Sequence, residues 1–267
     1  MSKEAIEFKA SHKDMDFKNM SLGELNKLPP YMGVYNYQIS KTSFLILNIF
    51  NDDSSAVKHF WRGFHELEEL DIWHSIAKKE GSFIDVGAHT GLYTLAAIKA
   101  NSENNVICFE PSFMNLSRLI TNLRLNGFFK NISTNLGAVS NFDGKSKFSI
   151  KTERSYMGQG GKIGKEGIDT NVYKLDTLFF KKLEKKLQAI KIDTEGEDFK
   201  VLLGAENLIK EHKPKIIIEA REENKKDIVN FLKSYSYKIY NVKDMNNEFN
   251  FEKKKIENVI NLYAYFN

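Results

Sequence analysis

Short apolar runs alternate with segments of helical periodicity from residue 82 to the end of the chain. Runs of this length that are bounded by glycine, proline or charged residues are typical of buried strands. Seven of them predict strands, at residues 82–86, 106–110, 132–139, 189–193, 215–219, 237–242 and 259–266.

Apolar residues spaced three and four apart predict the intervening helices, at residues 91–100, 113–126, 199–209 and 227–234. Alternating strands and helices indicate an α/β fold with helices on both faces of a mostly parallel sheet. Residues 243–258, between the last two strands, show no helical periodicity, so these strands imply one antiparallel edge strand. The expected fold is thus a seven-stranded, Rossmann-like α/β sheet.

Two regions interrupt this alternation. Residues 1–80 precede the first strand, with a strand pair expected within 31–50 and a helix across 57–77. Residues 145–175 hold two strand-like stretches, 147–151 and 171–175, on either side of a glycine-rich segment. We therefore expect an N-terminal extension on the substrate side (1–80) and one domain (81–267) that carries a β-hairpin insertion.

The composition is that of an ordinary globular protein, because 42% of the residues are hydrophobic and 28% are charged. No apolar run approaches the roughly 18 residues that a membrane span needs. Residues 1–15 mix lysine with acidic residues and contain no secretory signal. The single cysteine, Cys108, excludes an internal disulfide and a cysteine metal cluster. We therefore expect a cytoplasmic protein without a membrane span.

The net charge of +4 is mild, and the short lysine runs are typical of solvated helix faces. No arginine-rich stripe with interleaved aromatic residues is present, so we expect no nucleic-acid partner. A modestly basic surface fits a small anionic acceptor such as a nucleotide-sugar. The sequence carries no signal of oligomeric state.

A glycine-rich turn follows the first strand, where Asp85 ends the apolar run and Gly87 and Gly91 precede a helix. Glycine lets a ligand approach the main chain closely because it has no Cβ. The next strand ends on Glu110, the position from which α/β folds hold ribose hydroxyls. The glycines do not form the G-x-G-x-x-G pattern of a pyrophosphate loop, which favours a nucleoside without phosphate, with S-adenosylmethionine (SAM) as the leading candidate.

The residues expected to bind this cofactor lie in the turn and at the ends of three strands. They are Asp85, Gly87, Ala88, His89, Gly91, Glu110, Pro111, Ser112 and Asp193.

Acidic residues cluster at the end of the fourth predicted strand, with Asp193 and Glu195 followed by Glu197 and Asp198. Ligands of open α/β sheets bind at the carboxyl ends of the strands, so the first two acids are expected beside the glycine turn. The last two are typical of the first turn of a helix. Glu219 ends the fifth strand. These carboxylates leave three roles open: a general base, a cofactor anchor or a divalent-metal site.

The motifs together resemble the FkbM-type SAM-dependent methyltransferases. They are Ile-Asp-Val-Gly-Ala-His-Thr-Gly at 84–91, Phe-Glu-Pro at 109–111, Lys-Leu-Asp-Thr-Leu at 174–178 and Lys-Ile-Asp-Thr-Glu-Gly at 191–196. The resemblance continues through Leu-Leu-Gly-Ala and Lys-Pro to Glu219, and covers residues 82 to about 240. Family members commonly have asparagine where this chain has His89.

The resemblance implies the seven-stranded methyltransferase fold and O-methylation of a hydroxyl, often on a sugar of a surface glycan such as capsule or lipopolysaccharide, or on a natural product. A non-catalytic module that binds the nucleoside within a glycan-assembly complex is the alternative of a different class. A nicotinamide dehydrogenase is a weaker alternative, because the third glycine is absent.

Methyl transfer to a sugar hydroxyl requires a group that removes the proton as the new bond forms. The expected bases are Glu195, Asp193 and His89, in that order. Alternatively, Asp193, Glu195 and Glu219 could hold Mg²⁺, which would lower the pKa of the hydroxyl. The arrangement without a metal is slightly favoured.

The acceptor must be recognised by segments that overhang the cofactor elements. Tyrosine suits a sugar because its ring packs on C–H faces while its hydroxyl bonds to the polar edge. The candidates are Tyr31 and Tyr35, with Tyr37 in the same segment, together with Tyr156 and Glu219. The glycine-rich segment from Tyr156 to Gly167 is expected either to close over the ligand or to form only a mobile turn.

Overall fold

The computed structural model of the protein describes residues 3–63, 66–127, 130–149, 161–179, 182–251 and 257–266. Within these ranges the helices are α1 (Lys3–Ser11), α2 (Leu22–Leu25), α3 (Ser54–Arg62), α4 (Leu67–Ala77), α5 (Leu92–Ala100), α6 (Phe113–Leu125), α7 (Leu175–Phe179), α8 (Asp198–Gly204), α9 (Glu206–His212) and α10 (Lys225–Ser234). The strands are β1 (Gly33–Ile39), β2 (Thr42–Asn48), β3 (Ser82–Val86), β4 (Asn105–Glu110), β5 (Ile132–Leu136), β6 (Ala138–Val139), β7 (Gly144–Ser149), β8 (Lys162–Gly164), β9 (Ile168–Tyr173), β10 (Leu187–Ile192), β11 (Lys215–Arg221), β12 (Tyr237–Asn241), β13 (Asp244–Glu248) and β14 (Val259–Phe266).

The central sheet of the described chain has eight strands in the order β13–β12–β14–β11–β10–β3–β4–β5. The five strands from β11 to β5 are parallel neighbours, whereas β14 runs antiparallel to both β11 and β12. The predicted α/β class is confirmed. The predicted count of seven and the edge position of the antiparallel strand are wrong, because β14 lies inside the sheet and β13 pairs with β12 at the edge.

The sequence missed β13 because nothing in that strand alternates between apolar and polar positions. All five of its residues are exposed, and four of them are Asp, Asn or Glu. An edge strand that is exposed to solvent on both faces needs no apolar residues, so its sequence shows no hydrophobic alternation.

The insertion after the third parallel strand is a second small sheet instead of a hairpin. The predicted strand 132–139 is divided, since β5 ends at Leu136 and β6 belongs to the other sheet. Among described residues this second sheet has four strands in the order β6–β9–β7–β8. It places β7 and β8 over the carboxyl edge of the central sheet.

Two helices that the sequence predicted as continuous are each interrupted. The segment 57–77 forms α3 and α4, because Gly63 ends α3 in the left-handed conformation (φ 86°) and Glu66 precedes α4 with φ 48°. The segment 199–209 forms α8 and α9 on either side of Ala205. Short breaks of this kind leave the 3.6-residue periodicity almost unchanged, so the hydrophobic pattern does not reveal them.

The N-terminal segment packs on one face of the central sheet. The predicted strand pair is present as β1 and β2, and β2 is tied to α6 by Leu45 N–H and Leu47 N–H, which donate to the side-chain oxygens of Asn126 and Asn122. Trp73 of α4 is fully buried and donates its indole N–H to the carbonyl of Tyr93 at 2.9 Å.

These contacts fix the position of α3 and α4 relative to the ends of the parallel strands. The boundary at residue 80 between an extension and a domain stays a prediction. No helix in the described ranges is long and apolar enough to cross a membrane.

Candidate functional site

A cavity opens at the carboxyl ends of β3, β4 and β10, the edge at which open α/β sheets bind ligands. Most of the residues predicted from the sequence to bind cofactor or to act as a base line it. They are Asp85, Gly87, Ala88, His89, Glu110, Pro111, Asp193 and Glu195. The turns after three neighbouring parallel strands bring these residues together, although they are far apart in sequence.

Gly87 is required by the close approach of two of these turns. Its φ is 80°, and a Cβ at this position would lie 1.8 Å from the carbonyl oxygen of Asp193. The N–H groups of Gly87 and Ala88 both donate to the carbonyl of Phe109 at 3.0 Å, and the N–H of Asp193 donates to the carbonyl of Val86 at 3.0 Å. The main chain of the three turns therefore forms one rigid floor.

The predicted cofactor residues Gly91 and Ser112 do not line the cavity, but they hold the elements that do. Gly91 precedes α5 with φ 94°, packed against the side chain of Leu119. The Ser112 hydroxyl accepts a hydrogen bond from the N–H of Asn115 and caps α6. Both positions act through the backbone of the helix that follows them.

Glu110 is buried, with 4% of its surface exposed, at the end of β4. Its carboxylate accepts hydrogen bonds from the N–H of His89 at 2.8 Å, the N–H of Ser112 at 2.9 Å and the side-chain amide of Asn115 at 3.4 Å. Burial raises the pKa of Glu110, while the charge of His89 and these hydrogen bonds oppose the shift. The side chain is thus held in one orientation at the cavity wall.

Asp85 ends β3 beneath the glycine turn and is 1% exposed. It accepts a hydrogen bond from the hydroxyl of Thr94 at 2.7 Å. Burial raises the pKa of Asp85 to about 6, against the lowering effects of the Thr94 hydrogen bond and of the Lys191 charge.

Lys191 lines the cavity and was not among the residues predicted from the sequence. It is 1% exposed within β10 and places its Nζ 3.3 Å from Oδ2 of Asp193 and 4.9 Å from the ring centre of Tyr93. Burial alone would lower the pKa of Lys191, but the carboxylates of Asp193 and Glu66 raise it above its ordinary value. The signal available in the sequence was a lysine between two isoleucines in a buried strand, which is rare unless the charge is paired.

Helices α3 and α4 also contribute to the cavity; the sequence analysis expected the N-terminal extension on the substrate side but named none of the residues of these helices. Ser55 and Lys58 of α3 line it, as does Glu66 at the start of α4. The hydroxyl of Tyr93 donates to Oε2 of Glu66 at 2.8 Å, which joins this wall to α5.

The cavity carries an excess of negative charge. Two lysines line it, Lys58 and Lys191. Six carboxylates among the described residues line it as well: Glu66, Asp85, Glu110, Asp193, Glu195 and Glu197. Opposite charges attract strongly at short range in a partly enclosed site, so this lining favours a positively charged ligand.

The alternative magnesium set of Asp193, Glu195 and Glu219 is not assembled. Nη2 of Arg221 lies 2.6 Å from Oε2 of Glu195 and 2.5 Å from Oε2 of Glu219, so a guanidinium occupies the position between these carboxylates. Burial, followed by the charge of Asp193, raises the pKa of Glu219. Glu219 does not line the cavity, and no group of three or more His, Cys, Asp or Glu in the described ranges is arranged to hold a metal ion.

Of the two acids that the sequence assigned to the first turn of a helix, Asp198 lies in the first turn of α8, whereas Glu197 is its N-cap residue and makes no side-chain cap hydrogen bond. Asp198 accepts hydrogen bonds from the N–H of Thr194 at 2.9 Å and the N–H of Gly196 at 3.1 Å, so it holds the turn. This turn keeps Glu195 at φ 56°. Glu197 lines the cavity and accepts a hydrogen bond from the Ser140 hydroxyl at 2.8 Å.

The residues predicted to bind an acceptor are placed differently. Tyr31 is 2% exposed, packs against the ring of Phe60 in a tilted arrangement and donates its hydroxyl hydrogen to the carbonyl of Val34 at 3.0 Å. The hydroxyl of Tyr35 is buried, and neither tyrosine lines the cavity. Their assignment to the acceptor is therefore corrected, because the N-terminal segment uses these rings for its own core.

Tyr37 is also buried in a core, and Tyr156 lies outside the described residues. The part of the glycine-rich segment that is described does reach the site. Gly161 and Ile163 line the cavity together with Phe148 of β7.

Comparison with known proteins identifies a family whose model matches this part of the chain. A family model of the methyltransferase FkbM domain matches residues 85–239, which is more than half of the chain and includes the glycine turn, Glu110 and Asp193. No curated protein matches the chain.

Similar solved structures include a methyltransferase FkbM from Methylobacillus flagellatus KT, with 20% identity and a TM-score of 0.49 over 80% of this chain and 55% of that one. A SAM-dependent methyltransferase from Agrobacterium tumefaciens has 10% identity and a TM-score of 0.48 over 89% and 72% of the two chains. Precorrin-6y C5,15-methyltransferase from Geobacter metallireducens GS-15 has 11% identity and a TM-score of 0.45 over 76% and 90%. This chain thus spans about half the length of the Methylobacillus chain.

Proposed function

Because the chain belongs to the FkbM family of methyltransferases, we propose that it transfers the methyl group of SAM to a hydroxyl of a sugar, on a nucleotide-sugar or a surface-glycan unit. The observation that carries this proposal is the position of Glu110, a buried carboxylate at the end of the second parallel strand, on the wall of an acidic cavity beside a glycine turn.

The chemistry of the lining fits SAM in two respects. SAM carries a sulfonium and an ammonium group, and the carboxylates of the cavity outnumber its lysines. It also carries a ribose with two free hydroxyls, and both oxygens of Glu110 are held at the cavity wall by hydrogen bonds from backbone N–H groups. Bound there, SAM would supply an electrophilic methyl group.

Each part of the site then has a role in binding. The backbone of Gly87 to His89, with Asp85 beneath it, would hold the methionine end of the cofactor. Glu110 would accept hydrogen bonds from both ribose hydroxyls, one at the lone pair that its three present donors leave unused and one in place of the long contact with the amide of Asn115. Pro111 would pack against the nucleoside at the start of the next turn.

The remaining walls would receive the acceptor. They come from α3, the start of α4 and the small sheet, which line the cavity together with the glycine turn but are distant from it along the chain. The hydroxyl must be held in line with the methyl group, and water must be kept out, for the transfer to compete with hydrolysis. Phe148 and Ile163 would provide an apolar cover on this side.

Calorimetric titration with SAM, S-adenosylhomocysteine and NAD⁺ tests the cofactor assignment. We expect saturable binding of the first two and none of NAD⁺, because the turn lacks the third glycine of a pyrophosphate loop. If NAD⁺ binds and SAM does not, the proposal is rejected and a dehydrogenase is favoured. Binding of SAM without methyl transfer to any nucleotide-sugar, glycan or hydroxylated natural product would favour a non-catalytic module.

A further inference from the structure

Methyl transfer to a sugar hydroxyl needs a proton acceptor on the acceptor side of the cavity. The bases predicted from the sequence are engaged elsewhere. Asp193 is paired with Lys191 at 3.3 Å, and Glu195 is paired with Arg221 at 2.6 Å. His89 lies beside Glu110, where its charge lowers the pKa of that carboxyl, and thus on the ribose side.

Lys58 differs from the other charged residues of the cavity. It is half-buried, lines the cavity, and forms no ion pair with any described residue. Ser55, one turn earlier on α3, lines the cavity on the same helix face. Resting on the function proposed above, we propose that Nζ of Lys58 is the general base that takes the proton of the acceptor hydroxyl.

The position of Lys58 is fixed by the way α3 is built. Asp53 caps the helix by accepting hydrogen bonds from the N–H groups of Ser55 and Ala56, at 2.9 and 3.0 Å. The neighbours Val57 and Trp61 are buried at 0% and 1% exposure. With the start of the helix capped and this face buried, Lys58 is held where its side chain lines the cavity.

The groups that face Lys58 have opposing effects on its proton affinity. Burial lowers the pKa of Lys58 most strongly, and Arg62 on the same helix lowers it further. Glu66 at the start of α4, Asp53 at the start of α3 and Asp193 after β10 raise it, and the net result is a lowered pKa. A base works best when its pKa lies near the working pH, and an ordinary lysine, at about 10.4, lies too high.

Cofactor binding would lower this pKa further. A like charge in the same cavity disfavours the ammonium form of a lysine, and SAM brings a sulfonium. In the transfer, Nζ of neutral Lys58 gains the hydroxyl proton, the hydroxyl oxygen gains the methyl group, and the electron pair of the broken S–C bond stays on sulfur. Lys58 then returns its proton to solvent when the site opens.

The test measures proton release in the absence of any acceptor. The enthalpy of SAM binding is measured at about pH 8 in buffers of different ionisation enthalpy. The slope of the binding enthalpy against the ionisation enthalpy of the buffer gives the number of protons released. We expect the unmodified protein to release a fraction of a proton per bound SAM, and less with S-adenosylhomocysteine, which has a neutral thioether. Lys58→Met and Lys58→Arg should lose the Lys58 contribution, whereas Lys41→Met, at an exposed turn that does not line the cavity, should retain it.

Retained SAM binding shows that each variant is folded. With an active acceptor, both Lys58 variants should also lower the methyl-transfer rate by ~10²–10⁴, with SAM affinity changed only a few-fold. Equal proton release by the unmodified protein and Lys58→Met would overturn the assignment of the base. A protein that does not bind SAM at all would instead overturn the function on which the assignment rests.

Discussion

Replacing Glu110 by alanine tests whether its carboxylate binds the ribose. Three donors already hold this carboxylate, the N–H groups of His89 and Ser112 and the amide of Asn115, at 2.8, 2.9 and 3.4 Å. A carboxylate has about four lone-pair sites, so one remains free for a ribose hydroxyl, and the amide of Asn115, whose contact is the longest, would give up a second site to the other hydroxyl. A charge-assisted contact of this kind contributes roughly 1.5–3 kcal/mol. At about 1.4 kcal/mol per tenfold, Glu110→Ala should weaken SAM binding about ten- to a hundredfold.

Calorimetry and thermal unfolding should be measured on the same preparations. Glu110→Gln keeps the shape of the side chain and one acceptor oxygen but removes the charge, so it separates loss of charge from loss of packing. Glu103→Ala removes an exposed acid just before β4 and is the matched control. If Glu110→Ala unfolds like the unmodified protein and its SAM dissociation constant changes less than about twofold, the ribose assignment is refuted.

Two further substitutions test the floor of the cavity. Burial raises the pKa of Asp85 to about 6, above an unfolded value near 3.9. The free energy of unfolding therefore falls as pH rises from about 4 to 6, because the buried carboxyl binds its proton more tightly in the folded state than in the unfolded state. Asp85→Asn should stabilise the fold above about pH 6 by on the order of 2–3 kcal/mol, and not at about pH 4. An equal gain at both pH values in urea unfolding would contradict this. Gly87→Ala should lower the free energy of unfolding by at least about 1–2 kcal/mol, the cost of placing a non-glycine residue in the left-handed conformation. It should also abolish SAM binding, because the added Cβ would lie 1.8 Å from the carbonyl oxygen of Asp193. Gly164→Ala, with no atom within 4 Å of the added Cβ, should do neither.

The part of the cavity formed by the glycine turn and the strand ends could be predicted because its signals are local. A strand of apolar residues that ends on Asp85, a turn with Gly87 and a second strand that ends on Glu110 are each readable within a few residues, and parallel strands bring their carboxyl ends together. The family model matches this same region. The roles of the individual residues in binding remain predictions.

The N-terminal extension was expected on the substrate side, but the residues that it contributes to the cavity could not be predicted, because they depend on packing between distant parts of the chain. Lys58 and Glu66 face the cavity only because β2 and α4 dock on α5 and α6. A lysine on an amphipathic helix is usually a solvated residue, and nothing in the local pattern distinguishes this one. The prediction for Tyr31 was wrong because its local sequence resembles a sugar-binding segment. In the fold, its ring instead fills the separate core of the N-terminal segment.

Transfer of a labelled methyl group tests the central claim most directly. The protein would be incubated with methyl-labelled SAM and a panel of nucleotide-sugars and glycan fragments, and the products analysed by mass spectrometry and NMR. We expect a labelled methyl group in ether linkage to a sugar oxygen, one per acceptor, with S-adenosylhomocysteine formed in equal amount. Label found on nitrogen or carbon of the acceptor, or transfer only to acceptors without a sugar hydroxyl, would contradict it.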